Sequence, residues 1–322
     1  MLTITRTSTG FESIHVHTGK IELSIMPELG GKINSLRDVR IGREWLWRHP
    51  RLTYNRVPNG SSYVSEADTG GWDECFPSVA ACNYPSAPWQ GTAIQDHGDL
   101  WSQVAEFEMD EQAESVVLRT RWKGLGLPYT FTRSITLTAD SAHLRVDYAV
   151  TNNSDQPVNF IWCIHPLLAI EPGMELLLPA SARFNLGNSV PSDNLVFDYP
   201  FTTPGLNLPR LPETSAGLAF KIWSNPLQAD AGWAALCAYD GELRMRWDVA
   251  HLPQVAVWMN FGAWAGDGGA PYYNLGLEPC IGAQDSLADA VTQHNLFASL
   301  PPSGDKAWWL EVDLLADPTS IV

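Results

Sequence analysis

Glu278 stands in the run Asn274-Leu275-Gly276-Leu277-Glu278-Pro279-Cys280. Read as a strand, this run puts Leu275 and Leu277 on one face, toward a core, and Asn274, Gly276 and Glu278 on the other. Pro279 has no N–H to give a ladder, so the strand is expected to end just past the acid. A carboxylate held on a well-anchored strand is how a general base or a sugar-hydroxyl acceptor is built. A strand-end Glu that is merely solvated fits the same pattern. A second run, Val158-Asn159-Phe160-Ile161-Trp162-Cys163-Ile164-His165-Pro166, repeats the layout. Val158, Phe160, Trp162 and Ile164 share one face, and Asn159, Ile161, Cys163 and His165 the other. A lone His among apolar residues more often satisfies a core than reacts. One His and one Glu on the polar faces of two strand ends nevertheless make an acid/base pair.

A third cluster joins Gly70-Gly71-Trp72-Asp73-Glu74-Cys75-Phe76-Pro77 to Gln95-Asp96-His97-Gly98-Asp99-Leu100-Trp101. Both pieces read as loop-like mixtures of Trp, acids, His and Gly. Flat aromatic faces beside carboxylates suit a polyhydroxylated ring: the aromatic packs on C–H bonds and the acids accept hydroxyls. With 14 Trp in 322 residues, most tryptophans must be core. GGWDECFP, DHGDLW, the strand ending in His165-Pro166 and GLEPC occur in the order shown by the aldose 1-epimerase (galactose mutarotase-like) family. The chain resembles that family from Pro27-Glu28-Leu29-Gly30-Gly31-Lys32 to about residue 290.

The resemblance implies an all-β fold, a large antiparallel β-sandwich with a sugar cleft on its concave face. It also implies a metal-free site in which one His and one Glu interconvert the α and β anomers of an aldose. Glu278 would take the proton of the C1 hydroxyl, His165 would protonate the ring oxygen, and the ring would reclose with roles reversed. A His close to a carboxylate is expected to have a raised pKa, which favours this pairing. His97 would bind a ring hydroxyl or the ring oxygen, with Lys32, Trp72 and Asp73 as further substrate contacts. Mutarotases carry a sugar-binding Asp between acid and base within an Asp-His-aromatic segment. Here that segment is missing, and Asp248, in Arg246-Trp247-Asp248, is a substitute by position only. Their early Arg is matched superficially by Asn55-Arg56, or Lys32 takes its role. Trp258 shares a strand face with Gln254 and Asn260 and is a candidate cleft aromatic.

Composition narrows the alternatives. A net charge of −16 argues against nucleic acid and anionic membranes as partners. The N-terminal Met1-Leu2-Thr3-Ile4-Thr5-Arg6 lacks the apolar core of a signal peptide, and no apolar run is bilayer-length, so a cytoplasmic protein is expected. The five cysteines, Cys75, Cys82, Cys163, Cys237 and Cys280, form no C-x-x-C pair. Neither a disulfide framework nor a zinc site is signalled, and no cofactor is expected. Cys163 and Cys280 would line the cleft beside His165 and Glu278.

Period-2 alternation over 129–138 and 144–150, joined by Asp140-Ser141-Ala142, predicts a long hairpin with Arg133 interrupting its apolar face. Further strands are expected over 116–122, 233–239 and 254–260, a short helical turn over 285–291, and a long loop from Pro191 to Pro212. With no linker or repeat, residues 1–322 read as one sandwich domain, a monomer or homodimer acting on a small sugar. Three other readings stay open: a carbohydrate-binding protein without turnover, a hexose-6-phosphate mutarotase, and a glycoside hydrolase pairing Glu278 with Asp73 or Glu74. The phosphate reading needs basic residues such as Lys32, Arg37, Arg43, Arg48, Arg51 or Arg56 beside the cleft.

Overall fold

The computed structural model of the protein describes residues 2–8, 10–190, 196–198, 202–203, 206–207 and 210–318. The stretch expected to form a loop from Pro191 to Pro212 lies largely outside them.

Five strands position the candidate site: β1 (Gly71–Cys75), β2 (Trp162–Ala169), β3 (Leu218–Ser224), β4 (Gln254–Phe261) and β5 (Tyr273–Ile281). They lie side by side in the order β1-β2-β5-β4-β3 at the centre of a 12-stranded sheet. Thr3–Thr7 to Lys32–Asp38 extend it beyond β1, and Arg183–Val190 continues it beyond β3. A second, 8-stranded sheet packs on its other side, containing Ser115–Lys123, Tyr129–Thr138, His143–Asn152 and Asp305–Leu315. Every pairing between these strands is antiparallel. The expected hairpin is present, with Tyr129 opposite Asn152 and Leu137 opposite Leu144.

Between the sheets, alternating side chains interdigitate as in any sandwich. Trp162 lies 4.9 Å from Trp308, and Tyr148 stacks on Trp308 at 5.9 Å. Arg133 interrupts the apolar face because it has a partner there. Its guanidinium is 3.1 Å from Glu74, which also accepts from Tyr148 (3.0 Å) and Trp162 (3.2 Å). This buried charge is tolerated because the guanidinium is paired with Glu74 and also donates to the Gly31 carbonyl.

Two expectations about chain breaks are corrected. Residues 71–75 are not a turn but a fully buried central strand. Neither proline ends its strand: β2 runs on to Ala169 and β5 to Ile281. The β2–β5 ladder instead opens locally. Cys163 pairs with Cys280 and Leu167 with Gly276, and the unpaired interval holds both Pro166 and Pro279. Each proline lacks an N–H, and placing both at one gap confines the loss to one interval while the outer ladders, to β1 and β4, continue. Among the described residues no helix is long and apolar enough to cross a membrane. The helical turn falls at Leu287–Asp289, continuing to His294.

Candidate active site

The unchanged register on both sides of the gap sets His165 across from Glu278. Both project from the face of the sheet that points away from the second sheet, and His165 Nε2 lies 4.0 Å from Glu278 Oε1. Glu278 has no exposed surface and His165 retains 8%. Gly276 makes room for the acid: a Cβ there would stand 2.8 Å from Glu278 Oε1. A cavity of about 310 Å3 opens above the pair, of a size that takes a small ligand. His97, Trp258, Trp264 and Asn274 line it along with both residues. Trp258 and Trp264 meet edge to face at 5.5 Å and form an aromatic wall.

Lys221, on β3, was missed by sequence reading. Its Nζ is 2.8 Å from Glu278 Oε2 and 3.0 Å from Asp285 Oδ1, and its side chain is 9% exposed. The available signal was a lysine inside the apolar run Leu218-Ala219-Phe220-Lys221-Ile222-Trp223, since lysine is almost never buried unless paired. Its two carboxylates hold its pKa well above the usual value against the opposing effect of burial. Asp285 and Asp68 also line the cavity and were not singled out by the sequence. Burial pushes the Asp68 carboxyl up to about 6.

His165 departs from expectation in its charge. Its pKa is well below the usual value, first because it is buried, then because His97, Lys221 and Lys32 add positive charge nearby. The adjacent carboxylate does not reverse this, because Lys221 already neutralises Glu278. Behind the imidazole, Tyr63 OH lies 3.4 Å from Nδ1 and donates to Asp73 at 2.7 Å. With its proton committed to Asp73, the phenol can only accept from His165. That assigns the neutral imidazole's proton to Nδ1 and leaves Nε2 free toward the cavity. His97 stacks on Tyr63 at 4.1 Å and is 2.8 Å from Asp96. Its backbone sits in the left-handed region (φ 59), a conformation that non-glycine residues keep mainly where function or packing demands it.

The remaining sequence candidates divide. Asp73 and Lys32 form a buried ion pair behind Tyr63, at the side of the cavity rather than on its wall. Trp72 is not a ligand contact. It is 1% exposed and alternates with Asp73 onto the inter-sheet face, the face Glu74 also takes. That position removes Glu74 from any carboxylate pair with Glu278. Asp248 belongs to the other sheet, where it follows the Gly241–Trp247 strand and bonds His251 at 2.6 Å. Of the basic candidates, Arg43, Arg51 and Arg56 pair with acids away from the cavity, and Arg48 lies over Tyr54. Cys75, Cys163 and Cys280 are all free and lie in one row across β1, β2 and β5, packed with Trp223 and Ala256 in the sheet's floor. Burial raises the Cys75 and Cys280 thiols, the opposite of what a nucleophile needs. Among the described residues no group of three or more His, Cys, Asp or Glu is arranged to hold a metal ion.

The large antiparallel sheets match those of solved galactose mutarotase-like proteins, and the chain has that fold. A candidate aldose 1-epimerase from Klebsiella pneumoniae superposes with a TM-score of 0.71 at 16% identity, over 96% of this chain and 80% of that one. A galactose mutarotase-like protein from Clostridium acetobutylicum gives 0.67 at 12% identity, over 98% and 99%. One from Lactobacillus casei gives 0.63 at 18%, over 97% and 100%. No family model and no curated protein sequence matches the chain. At these identities the likeness extends to the fold and not to the activity.

Proposed function

We propose that the protein is an aldose 1-epimerase-type isomerase that opens and recloses the ring of a neutral aldose. The observation that carries this reading is the His165–Glu278 pair, 4.0 Å apart across one strand gap at the floor of an aromatic-walled cavity. Ring opening moves one proton from the C1 hydroxyl to the ring oxygen, so two groups on one edge of the sugar suffice. Glu278 takes the hydroxyl proton as the C1–ring-oxygen bond breaks. His165 Nε2 gives a proton to the ring oxygen, C1 turns about the C1–C2 bond, and reclosure reverses both transfers.

Lys221, 2.8 Å from the base, offsets its charge where the carboxylate has no exposed surface. The depressed pKa of His165 has two consequences. The imidazolium is a minor species at neutral pH, and it is a stronger acid when formed, which suits a weakly basic ring oxygen. Asp73 and Tyr63 orient the imidazole, and His97 and the tryptophans hold the ring. The charge inventory favours an uncharged sugar. Lys221 is the cavity's one lysine or arginine among the described lining residues, and two carboxylates already occupy it. A hexose 6-phosphate would meet Glu278, Asp285 and Asp68 with no free cation to offset them.

The test is anomeric NMR on freshly dissolved aldoses and their 6-phosphates, against a no-enzyme control at the same pH. Wild type should accelerate exchange of at least one unphosphorylated aldose. Glu278→Gln and His165→Asn should each lower that rate by about 10²-fold or more, with sugar affinity much less affected. A wild type that matches the control for every sugar would leave only a carbohydrate-binding reading.

A further inference from the structure

The concave face holds a second cavity, of about 660 Å3, beside the first. Asp285 lines both. Strand β3 joins them: alternation puts Ala219, Lys221 and Trp223 in sequence on one face. Ala219 and Lys221 line the first cavity and Trp223 the second, with Lys221 Nζ 5.8 Å from the Trp223 ring centre. The indole is seated on Gly187 of the neighbouring strand, where a Cβ would stand 1.7 Å from its Cζ3. Around it lie the side-chain amides of Asn185, Asn225, Gln254 and Gln284.

The chemistry of this lining is specific. An aromatic face offers a platform for the C–H side of a ring, and amides both donate and accept, which matches hydroxyl groups. No lysine or arginine is among the described lining residues, while Asp285 and Asp289 are, so a phosphate or nucleotide group is disfavoured. Two residues along a strand span roughly 6.6 Å, so the step from Lys221 to Trp223 is a short one. We propose that the second cavity binds a second sugar ring, glycosidically joined to the ring that sits over His165 and Glu278. The substrate is then a reducing disaccharide or longer oligosaccharide, with its reducing end in the first cavity. This rests on the reading of the first cavity as a sugar site.

The experiment compares reducing disaccharides (maltose, cellobiose, lactose) with the monosaccharides at their reducing ends. Calorimetry reads binding and anomeric NMR reads exchange. Wild type should bind one disaccharide at least tenfold more tightly than its reducing-end monosaccharide. In the double variant Asn225→Ala, Gln284→Ala, the ratio of disaccharide to monosaccharide affinity should fall roughly tenfold, the weight of one or two hydrogen bonds. Both substitutions are at partly or fully exposed positions, and a thermal melt checks that the fold is kept. Monosaccharide exchange with no disaccharide preference overturns the second subsite and leaves the isomerase reading intact. Disaccharide preference, lost in the variant, without catalysed exchange supports the subsite and overturns the isomerase reading. Binding of neither class overturns both.

Discussion

Lys221→Met removes the one ammonium shared by Glu278 and Asp285, at 2.8 and 3.0 Å, and leaves a shape of similar length. Breaking a buried pair by deleting one partner costs about 3–5 kcal/mol, because the surviving charge stays desolvated. Glu278 is fully enclosed, but the Asp285 side chain is 22% exposed and water relieves part of its share. The lower end, about 3 kcal/mol, is therefore expected. At 1.36 kcal/mol per decade this is about 10²-fold in whatever equilibrium bears it, either folding or the ionised state of the base. Urea unfolding followed by tryptophan fluorescence, together with anomer exchange by NMR, divides the loss between the two. Lys221 is also one of the cations that keep His165 neutral, after burial and His97. Its removal should therefore move the alkaline limb of kcat/KM to higher pH, which a packing defect would not do. Lys221→Arg retains a cation able to bridge two carboxylates and should recover most of the activity. A Lys221→Met protein that loses less than about 1 kcal/mol, keeps a third of its activity and shows an unmoved pH limb would refute the electrostatic role.

The pH dependence of the wild type follows from His165. A histidine whose folded pKa lies below 6.5 is neutral above that lowered value, so the acid form, and kcat/KM with it, should fall by about tenfold per pH unit between pH 6.5 and 8. A rate that instead rises across this window would assign the free Nε2 as the base and overturn the acid role. The same shift makes the unfolded state the better proton acceptor between the lowered pKa and 6.5, so His165 should cost stability as pH drops through that interval. In the core, Arg133→Met strands Glu74 between the sheets and should destabilise by about 3–5 kcal/mol, read from the urea midpoint. The double change Arg133→Met, Glu74→Leu should recover much of that, and failure to do so would argue that the pair does more than neutralise itself.

Much of the architecture was legible in the chain. The alternation around Leu275, Leu277 and Glu278, and around Trp162, Ile164 and His165, assigned faces that the sheets then used. The 129–152 hairpin was equally readable, because its inward row is β-branched and aromatic and its turn is marked. Residues 71–75 were not legible as a strand, since every residue there is buried and alternation between polar and apolar side chains fails when both faces are covered. The same ambiguity misassigned Trp72. Its neighbour Asp73 faces the cavity side, and only the position of the second sheet shows which face is interior.

The sequence by itself determined that Glu278 and His165 would ride on well-anchored strands, because local side-chain period is a short-range property. It could not pair Lys221 with Glu278. Three strands separate the two along the chain, Trp233–Ala238, Gly241–Trp247 and β4, and β4 also lies between them in the sheet. Nor could it give the charge of His165. That charge is set by burial and by His97, Lys221 and Lys32, each on a different segment, and electrostatic fields add in space rather than along the chain.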